Sequence, residues 1–416
     1  MPVDAAVTFE LVAGAYADSP SGKLDNQSLY REVAQRAGLD PASLKQRTPV
    51  GKAGKRYSLA ERGIRWHVQT LKHMGVIRRV HGERGVWELV EKSRSGLHTP
   101  IIPVKLVAFS TDLGVAIWGD NMDVLANLAE PIHLCLTSPP YPLRKPRAYG
   151  NPPVSAYVDF VIRSIEPVVR NLAPGASLVL NCSNDVFEQG SPARSTYLER
   201  LVIALEDQLG LSLLDRIPWV NLSKAPGPIQ WASKHRVQLN VGYEPVLWFT
   251  NDPTAVFSDN RRVLEPHTDS HLALIASGGE KRAGIYADGA YQMRPGKFAQ
   301  ETAGRIPRNV LMRGHRCADA IAYRHNARAL GLPAHGAVMP TSVADFFIRF
   351  MTQPGQLVAD LWGGKGTTAL AAERLGRRWI IVDRVLDYLR AGGESFRNFP
   401  GFDMPDHVQS WPGEAS

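Results

Sequence analysis

Residues 356–383 constrain the fold more than any other stretch of the chain. Gln356-Leu357-Val358-Ala359-Asp360 reads as a buried strand, and Leu361-Trp362-Gly363-Gly364-Lys365-Gly366-Thr367-Thr368 as a Gly-rich loop. The loop opens a helix over 369–375. A second strand, Trp379-Ile380-Ile381-Val382, ends on Asp383. Strand, tight loop, helix, strand and terminal acid form one half of a Rossmann-like sheet. The glycines let the backbone approach a ligand closely, and an acid about 20 residues beyond the loop suits a ribose hydroxyl. The GxGxxG of a dinucleotide site is absent. So is a phosphate-binding P-loop, because Lys365 precedes the last glycine. NAD and ATP are disfavoured, and a nucleoside without pyrophosphate fits better. S-adenosyl-L-methionine is the obvious candidate.

The rest of the chain extends that half-sheet. Ala116-Ile117-Trp118-Gly119-Asp120 is a strand ending at an acid, with a helix from Asn121 to residue 128. Strands follow at 132–136, 177–181, 213–220 and 242–250, with helices over 156–172 and 196–209. Ala173-Pro174-Gly175 reads as a turn. This alternation predicts an α/β doubly wound sheet with helices on both faces. Residues 251–334 break the rhythm with weak apolar periodicity and mixed charge, as a functional or disordered insertion does. From 335 the pattern resumes, with a helix over 343–351.

One turn stands out. The strand Ile132-His133-Leu134-Cys135-Leu136 runs into Thr137-Ser138-Pro139-Pro140-Tyr141. Two prolines stop a strand and stiffen the turn. A hydroxyl before them and an aromatic ring after them hold a flat, hydrogen-bonding ligand at a strand's carboxyl end, where open α/β sheets bind ligands. The plain alternative is a loop stop with a packing Tyr.

Composition narrows the class. At 44% hydrophobic and 21% charged residues this is ordinary globular sequence. It has no apolar run long enough to span a bilayer, and no basic, apolar leader at residues 1–10. Cys135, Cys182 and Cys317 are scattered without CxxC spacing, which argues against disulfides or a zinc site and fits a reducing cytoplasm. No metal is expected. The net charge of +8 suggests a polyanionic partner. Residues 1–100 carry 16 Lys/Arg against 10 Asp/Glu, most of that excess.

That first quarter reads as a separate domain over 1–103. A short helix at 7–16 and another at 26–38 precede Ser58, which with Glu61 makes a capping box opening a third helix to about Gly75. Val76-Ile77-Arg78-Arg79-Val80 and Val86-Trp87-Glu88-Leu89-Val90 flank a glycine turn as a hairpin. Helices followed by a basic hairpin resemble a winged helix, similar to the N-terminal domain of Mrr-type restriction proteins. Arg62, Arg65, Lys72, Arg78, Arg79 and Arg84 would face DNA, or merely solvate a surface that mediates dimerisation. Residues 93–103 read as the linker.

Ser138-Pro139-Pro140-Tyr141 and the motif from Asp360 to Thr368 look like the catalytic and cofactor motifs of bacterial DNA amino-methyltransferases. Their order is that of the β group, with the catalytic motif first. The resemblance spans about 104–396 and includes Trp118-Gly119-Asp120, Tyr243-Glu244-Pro245-Val246-Leu247 and the stretch from His335 to Pro340. It implies a circularly permuted, Rossmann-like, S-adenosylmethionine-dependent sheet. The catalytic part would cover 104–250, a target-recognition insertion 251–334, a cofactor-binding part 335–396 and a tail 397–416. By matching positions, Asp360, Trp362, Gly364, Lys365, Gly366 and Thr367 would surround the methionine moiety. Pro340, Thr341 and Ser342 would approach its carboxylate, Asp383 would take the ribose hydroxyls, and Asp120 with Asn121 would read the adenine. Leu361, Trp362 and Lys365 depart from the usual Pro, Phe and Ser.

The implied chemistry is transfer of a methyl group to the exocyclic amino group of a base flipped out of double-stranded DNA. Ser138 Oγ and the Pro139 carbonyl would accept the amino hydrogens, Tyr141 would stack on the base, and Pro139 and Pro140 would keep the turn preorganised. Lys224, Lys234, Arg236, Arg261 and Arg262 add candidate DNA contacts. Ser in the first motif position is associated with cytosine N4 but also occurs among adenine N6 enzymes of this group, the commoner class, so the two bases are near even, with adenine placed first. A homodimer is implied by the family only, and a cognate restriction endonuclease is left open. The competing readings are a catalytically silent DNA-binding regulator, and the same chemistry on RNA or protein. Motif order argues against the protein substrate.

Overall fold

The computed structural model describes residues 11–409, apart from 13–14, 17–18, 20–22, 51–54, 74–76, 84, 90–104, 127, 143–153, 222–223, 225 and 337. Arg84 and the 93–103 linker therefore lie outside the described residues.

Residues 11–89 have a core of their own. In order come β1 (Lys23–Asp25), α1 (Asn26–Arg36), α2 (Pro41–Lys45), β2 (Thr48–Val50), β3 (Lys55–Tyr57), α3 (Leu59–His73), β4 (Ile77–Arg79) and β5 (Val86–Leu89). α1 starts where the Asp25 carboxylate accepts the Gln27 and Ser28 N–H groups. α3 starts where Ser58 Oγ accepts the Glu61 N–H at 3.3 Å, as the capping pattern predicts. Leu29 and Val33 of α1 meet Ile64, Val68 and Leu71 of α3 over Val12, Tyr16 and Ile77. β5 pairs with β4 and also with β1, so the expected hairpin is a three-stranded sheet ordered β1-β5-β4. A three-residue strand is too short to announce itself by alternation.

The larger sheet begins with β6 (Leu106–Ser110), β7 (Gly114–Trp118), α4 (Asn121–Leu125) and β8 (Ile132–Thr137). It continues through α5 (Val154–Arg170), β9 (Leu172–Asn181), α6 (Tyr197–Leu209), β10 (Ser212–Val220) and β11 (Tyr243–Thr250). Next come α7 (Asp269–Ala276), the ribbon β12 (Gly284–Tyr286) and β13 (Tyr291–Met293), β14 (Leu311–Met312) and α8 (Ala318–Ala329). α9 (Thr341–Met351), β15 (Leu357–Asp360), α10 (Thr367–Arg374), β16 (Arg378–Asp383) and α11 (Leu386–Gly393) complete it. The nine strands lie in the order β14-β10-β11-β9-β8-β15-β16-β7-β6. The five from β9 to β7 are mutually parallel, and β15, from the end of the chain, sits beside β8.

Both faces of the sheet are covered, which is why its central strands read as continuous apolar runs rather than alternating ones. On one face Tyr157, Val161 and Ile165 of α5 and Leu201 and Leu205 of α6 pack on Cys135, Leu178 and Leu180. On the other, Phe347 and Ile348 of α9, Leu370 of α10 and Leu389 of α11 pack on Leu134, Leu136, Val358 and Ile381.

Three expectations need correction. Residues 173–175 are not a turn: they lie inside β9, where the pairing with β8 shifts register. Gly175 has φ 75°, and a Cβ there would overlap the Ala255 carbonyl. The Pro-Gly pair makes a bulge because β8 is close enough to keep the strand paired. The insertion 251–334 is partly integral to the fold. Leu311 and Met312 extend the sheet beside β10, and α8 buries Tyr323 and Ala327. Residues 397–409 are no loose tail: Met404 and Val408 join the core with Phe399 and Phe402 packed against it, and Ser110 and Asp403 exchange backbone hydrogen bonds. No described helix is long and apolar enough to cross a membrane.

Candidate active site

Parallel strands bring their carboxyl ends to one edge of the sheet. Asp120, Asp383, Asp360, Ser138 and Asn181 stand at or just beyond the ends of β7, β16, β15, β8 and β9. β11 runs antiparallel to β9 with Val246 opposite Asn181, so its first residues, Tyr243 and Glu244, reach the same edge. A cavity of about 300 Å³ opens there. Its wall holds Ser138, Pro139, Pro140 and Tyr141 together with Asp120, Asn121, Asp360, Trp362, Gly364, Lys365, Thr367 and Asp383. The two sequence motifs thus share one space. Gly366, at φ 83°, is the N-cap of α10. Pro340, Thr341 and Ser342 are not in the wall; Val338 and Met339 are.

Asp360 is the joint between the motifs. One of its carboxylate oxygens accepts from Thr137 Oγ1 at 2.6 Å and from the Trp362 N–H at 3.1 Å; the other accepts from Thr368 Oγ1 at 2.7 Å. Burial pushes its pKa up, and these three donors pull it back. Its hydrogen bonds go to the protein, so its first task is to fix the Gly-rich loop against the Ser138 turn. Asp383 sits on the neighbouring strand. It accepts from the Gly364 N–H at 2.7 Å and the Val385 N–H at 2.7 Å. Burial, helped by the charge of Asp360, raises its pKa to about 6. Asp120 caps α4 by accepting from the Met122 N–H, with Arg384 at 3.8 Å.

The donor set fits a nucleoside with an amino-acid arm. The buried Asn121 Nδ2 has no partner, Asp383 keeps acceptor capacity for hydroxyls, and Lys365 brings a buried cation to the loop.

Beside this, the Ser138 turn is tied into a polar chain that the sequence reading missed. Ser138 Oγ donates toward the Tyr141 hydroxyl and the Asn181 carbonyl, each at 3.2 Å. The Tyr141 hydroxyl donates to Glu244 Oε2 at 3.0 Å. Asn181 Nδ2 donates to both the Tyr141 hydroxyl (2.9 Å) and Glu244 Oε2 (3.0 Å), while its Oδ1 is buried without a partner. Lys224 Nζ meets Glu244 Oε1 at 3.1 Å. Burial first, and then the Glu244 charge, hold the Tyr141 hydroxyl well above the usual tyrosine range. The one signal for Glu244 was its place in the Tyr243–Leu247 motif; Asn181 carried none beyond ending a strand.

The candidate DNA contacts divide. Arg62, Arg79, Lys234 and Arg236 are exposed. Arg65 pairs with Glu61, Arg78 with Glu88, and Arg261 lies in a two-point contact with Asp259. Arg262 is turned inward: its guanidinium donates to the carbonyls of Phe257, Phe350 and Thr352, bracing the insertion against α9. Lys224 faces Glu244 rather than a free surface.

Residues 132–394 match the family model described as DNA methylase, covering N6 and N4 methyltransferases. The chain is 32% identical over 294 residues to the type II methyltransferase M.PvuII of Proteus hauseri, covering 70% of this chain and 86% of that one. It is 24% identical over 292 residues to M.BglII of Bacillus subtilis, covering 68% and 70%. A solved structure described as the PvuII DNA methyltransferase, cytosine-N4-specific, superimposes with a TM-score of 0.56 at 29% identity, covering 74% of this chain and 93% of that one. With the two motifs meeting in one cavity, these matches show that the chain belongs to the DNA methylase family and is an S-adenosylmethionine-dependent DNA amino-methyltransferase.

Proposed function

We propose that this enzyme methylates N4 of cytosine in a specific site of duplex DNA. The observation that carries the reading is Ser138 at the head of the Tyr141–Glu244–Asn181 chain, joined through Thr137 and Asp360 to the cofactor loop. A serine in that position is associated with cytosine N4, and the similar protein described as cytosine-N4-specific is matched over 93% of its length.

S-adenosylmethionine supplies the methyl group. An exocyclic amino group is a weak nucleophile because its lone pair is conjugated with the ring. Ser138 directs its own hydroxyl hydrogen toward Tyr141 and Asn181, which leaves its lone pairs for the amino hydrogens of a flipped base. The Pro139 carbonyl takes the second hydrogen. Held so, the nitrogen can pyramidalise and aim its lone pair; the gain comes from positioning and preorganised polarity. The proton the nitrogen sheds passes to Ser138 Oγ as Ser138 hands its own to Tyr141 and Tyr141 its own to Glu244 Oε2. Glu244, partly open to solvent, then releases it.

The N-terminal unit is read as a winged helix that adds backbone contacts through Arg62 and Arg79, with 251–334 as the target-recognition region. A homodimer is the expected assembly.

Nucleoside analysis by mass spectrometry of DNA from cells expressing the protein, with long-read sequencing of the same DNA, tests the reading. The expected product is N4-methylcytosine at one sequence motif. N6-methyladenine instead would overturn the base assignment but leave the chemistry. In single-turnover assays, Tyr141→Phe and Glu244→Gln are each expected to slow transfer by about 10²-fold while cofactor affinity holds.

A further inference from the structure

Residues 221–242 join β10 to β11 and contribute only Lys224 to the polar chain behind Ser138. β10 runs antiparallel to β11, and β11 antiparallel to β9, so this loop springs from the edge where Ser138 and Asn181 stand. Its neck is closed by the Asn221 N–H on the Gly242 carbonyl at 3.0 Å and the Val241 N–H on the Gly227 carbonyl at 2.8 Å. Lys224 ties the neck to Glu244, which holds Tyr141. On the returning arm, Gln238 Nε2 donates to the Pro192 carbonyl at 3.0 Å. The loop is thus a built projection beside the Ser138 turn.

Its outer part carries apolar side chains into water. Ile229 is 62% exposed, Val237 61% and Leu239 85%. Ile229 and Leu239 each lie two residues beyond the Gly227–Val241 bond, one on either arm. A helical turn over Ile229–Lys234 and an Arg236 at φ 57° fold the loop back, so that the Val237 N–H reaches the Trp231 carbonyl at 2.9 Å. A non-glycine residue in that backbone region is uncommon, and persists where the surroundings impose it. Exposed apolar residues standing singly are ordinary; three branched ones on one tied-down loop mark a surface that meets a partner.

The charge around them says which partner. The loop contains no acid, and its Lys234 and Arg236 are exposed. On the neighbouring strand, the Arg313 N–H donates to the Val220 carbonyl, which brings Arg313 and Arg316 to the same edge. A second copy of this chain, at a net charge of +8, would set like charge against like. Duplex DNA offers what the loop lacks: phosphates outside and an apolar stack of bases inside.

We propose that this loop is the wedge of base flipping, with Leu239 and Ile229 entering the stack where the target base leaves it and Lys234 and Arg236 on the flanking phosphates. Resting on the flipped-base reading above, the wedge has a plain physical role. A base drawn from the duplex gives up its pairing and stacking, and an apolar side chain in the vacated space offsets part of that cost. The tie through Lys224 and Glu244 places the wedge next to the residue that would stack on the base.

The test compares single-turnover methylation by the full-length protein on two duplexes. One carries the intact methylation site found by sequencing. In the other the target base lies opposite an abasic position and is already unpaired. For the double variant Ile229→Ala, Leu239→Ala, transfer on the intact duplex is expected to fall about tenfold to a hundredfold relative to wild type, and on the unpaired duplex to stay within about threefold. Leu239→Met, which keeps an apolar wedge, should stay near wild type on both. Both side chains are mostly exposed, so the urea midpoint of the double variant should hold; Leu239→Ser alone serves if it does not. Equal slowing on both duplexes would make the loop a general DNA contact, and no slowing on either would assign the patch to a protein partner; each result overturns the wedge. The comparison holds for cytosine and adenine alike, and wild-type transfer on the intact duplex reports separately on the activity itself.

Discussion

At the scale of single residues, the site is governed by how each acid spends its acceptors. Asp360 gives its hydrogen-bonding capacity to Thr137, Thr368 and the Trp362 N–H, and so works as a clamp between two loops. Asp383 accepts only backbone N–H groups and keeps capacity for a ligand's hydroxyls. Its pKa of about 6, raised from 3.8 chiefly by burial, sets a pH dependence with a definite sign. The unliganded fold binds this proton more tightly than the unfolded chain does. Asp383 therefore adds stability as pH falls from about 6 toward 3.8, and that stability is lost as pH rises through 6. With the ribose hydroxyls on Asp383, the role the family resemblance implies for it, cofactor binding would run the other way, because the hydroxyls would donate to the ionised form. Calorimetry of S-adenosylhomocysteine should show affinity level above pH 7 and weakening toward tenfold per unit below about 6. Asp383→Asn should bind weakly with a flat profile across that window.

At the scale of elements, β9 is the most informative. It carries Leu178 and Leu180 to one core and Val179 to the other, and it ends at Asn181 in the polar chain behind Ser138. Its bulge at Gly175 fits the strand between β8 and the segment around Ala255. Gly175→Ala combines a positive φ with an overlap against backbone, so it should destabilise the fold by about 1–3 kcal/mol. The measurement is the urea midpoint, expected to drop with the slope unchanged. A wild-type midpoint would mean that the bulge relaxes without cost. The sequence reads this segment as a turn because Pro-Gly is the strongest local turn signal, and the partner strand that overrides it lies some 40 positions away.

At the scale of the molecule, the two described bodies have separate cores and different charge. The α/β body holds the whole cavity, while residues 1–100 hold most of the excess positive charge. Removing residues 1–103 should therefore leave cofactor affinity intact and weaken DNA binding. Each lost phosphate contact flattens the salt dependence of binding by close to one, so a slope reduced by about two would match Arg62 and Arg79 as backbone contacts. An unchanged slope would assign this unit to protein contacts instead. Fluorescence titrations at several salt concentrations decide it.

The sequence by itself determined what depends on short-range pattern. Apolar runs placed six of the nine strands of the large sheet to within a residue or two, the glycines marked the loop after β15, and the prolines marked the Ser138 turn. All of these act on neighbouring residues through backbone sterics and periodicity. It also supplied Ser138, Asp120 and Asp383, because each closes or directly follows a recognisable strand, and Tyr141, because it follows the two prolines. Only the tertiary structure decided what crosses strands. Thr137 and Asp360 lie 223 positions apart, yet β15 docks beside β8 and places them in hydrogen-bond contact. Glu244 meets Tyr141 across 103 positions because β11 turns antiparallel against β9. Strand order follows from burying both faces of the sheet at once, a property of the whole core. The turn of Ser138 was legible as a pocket floor; the chain of partners behind it, which fixes the direction of its hydrogen bonds, was made by folding.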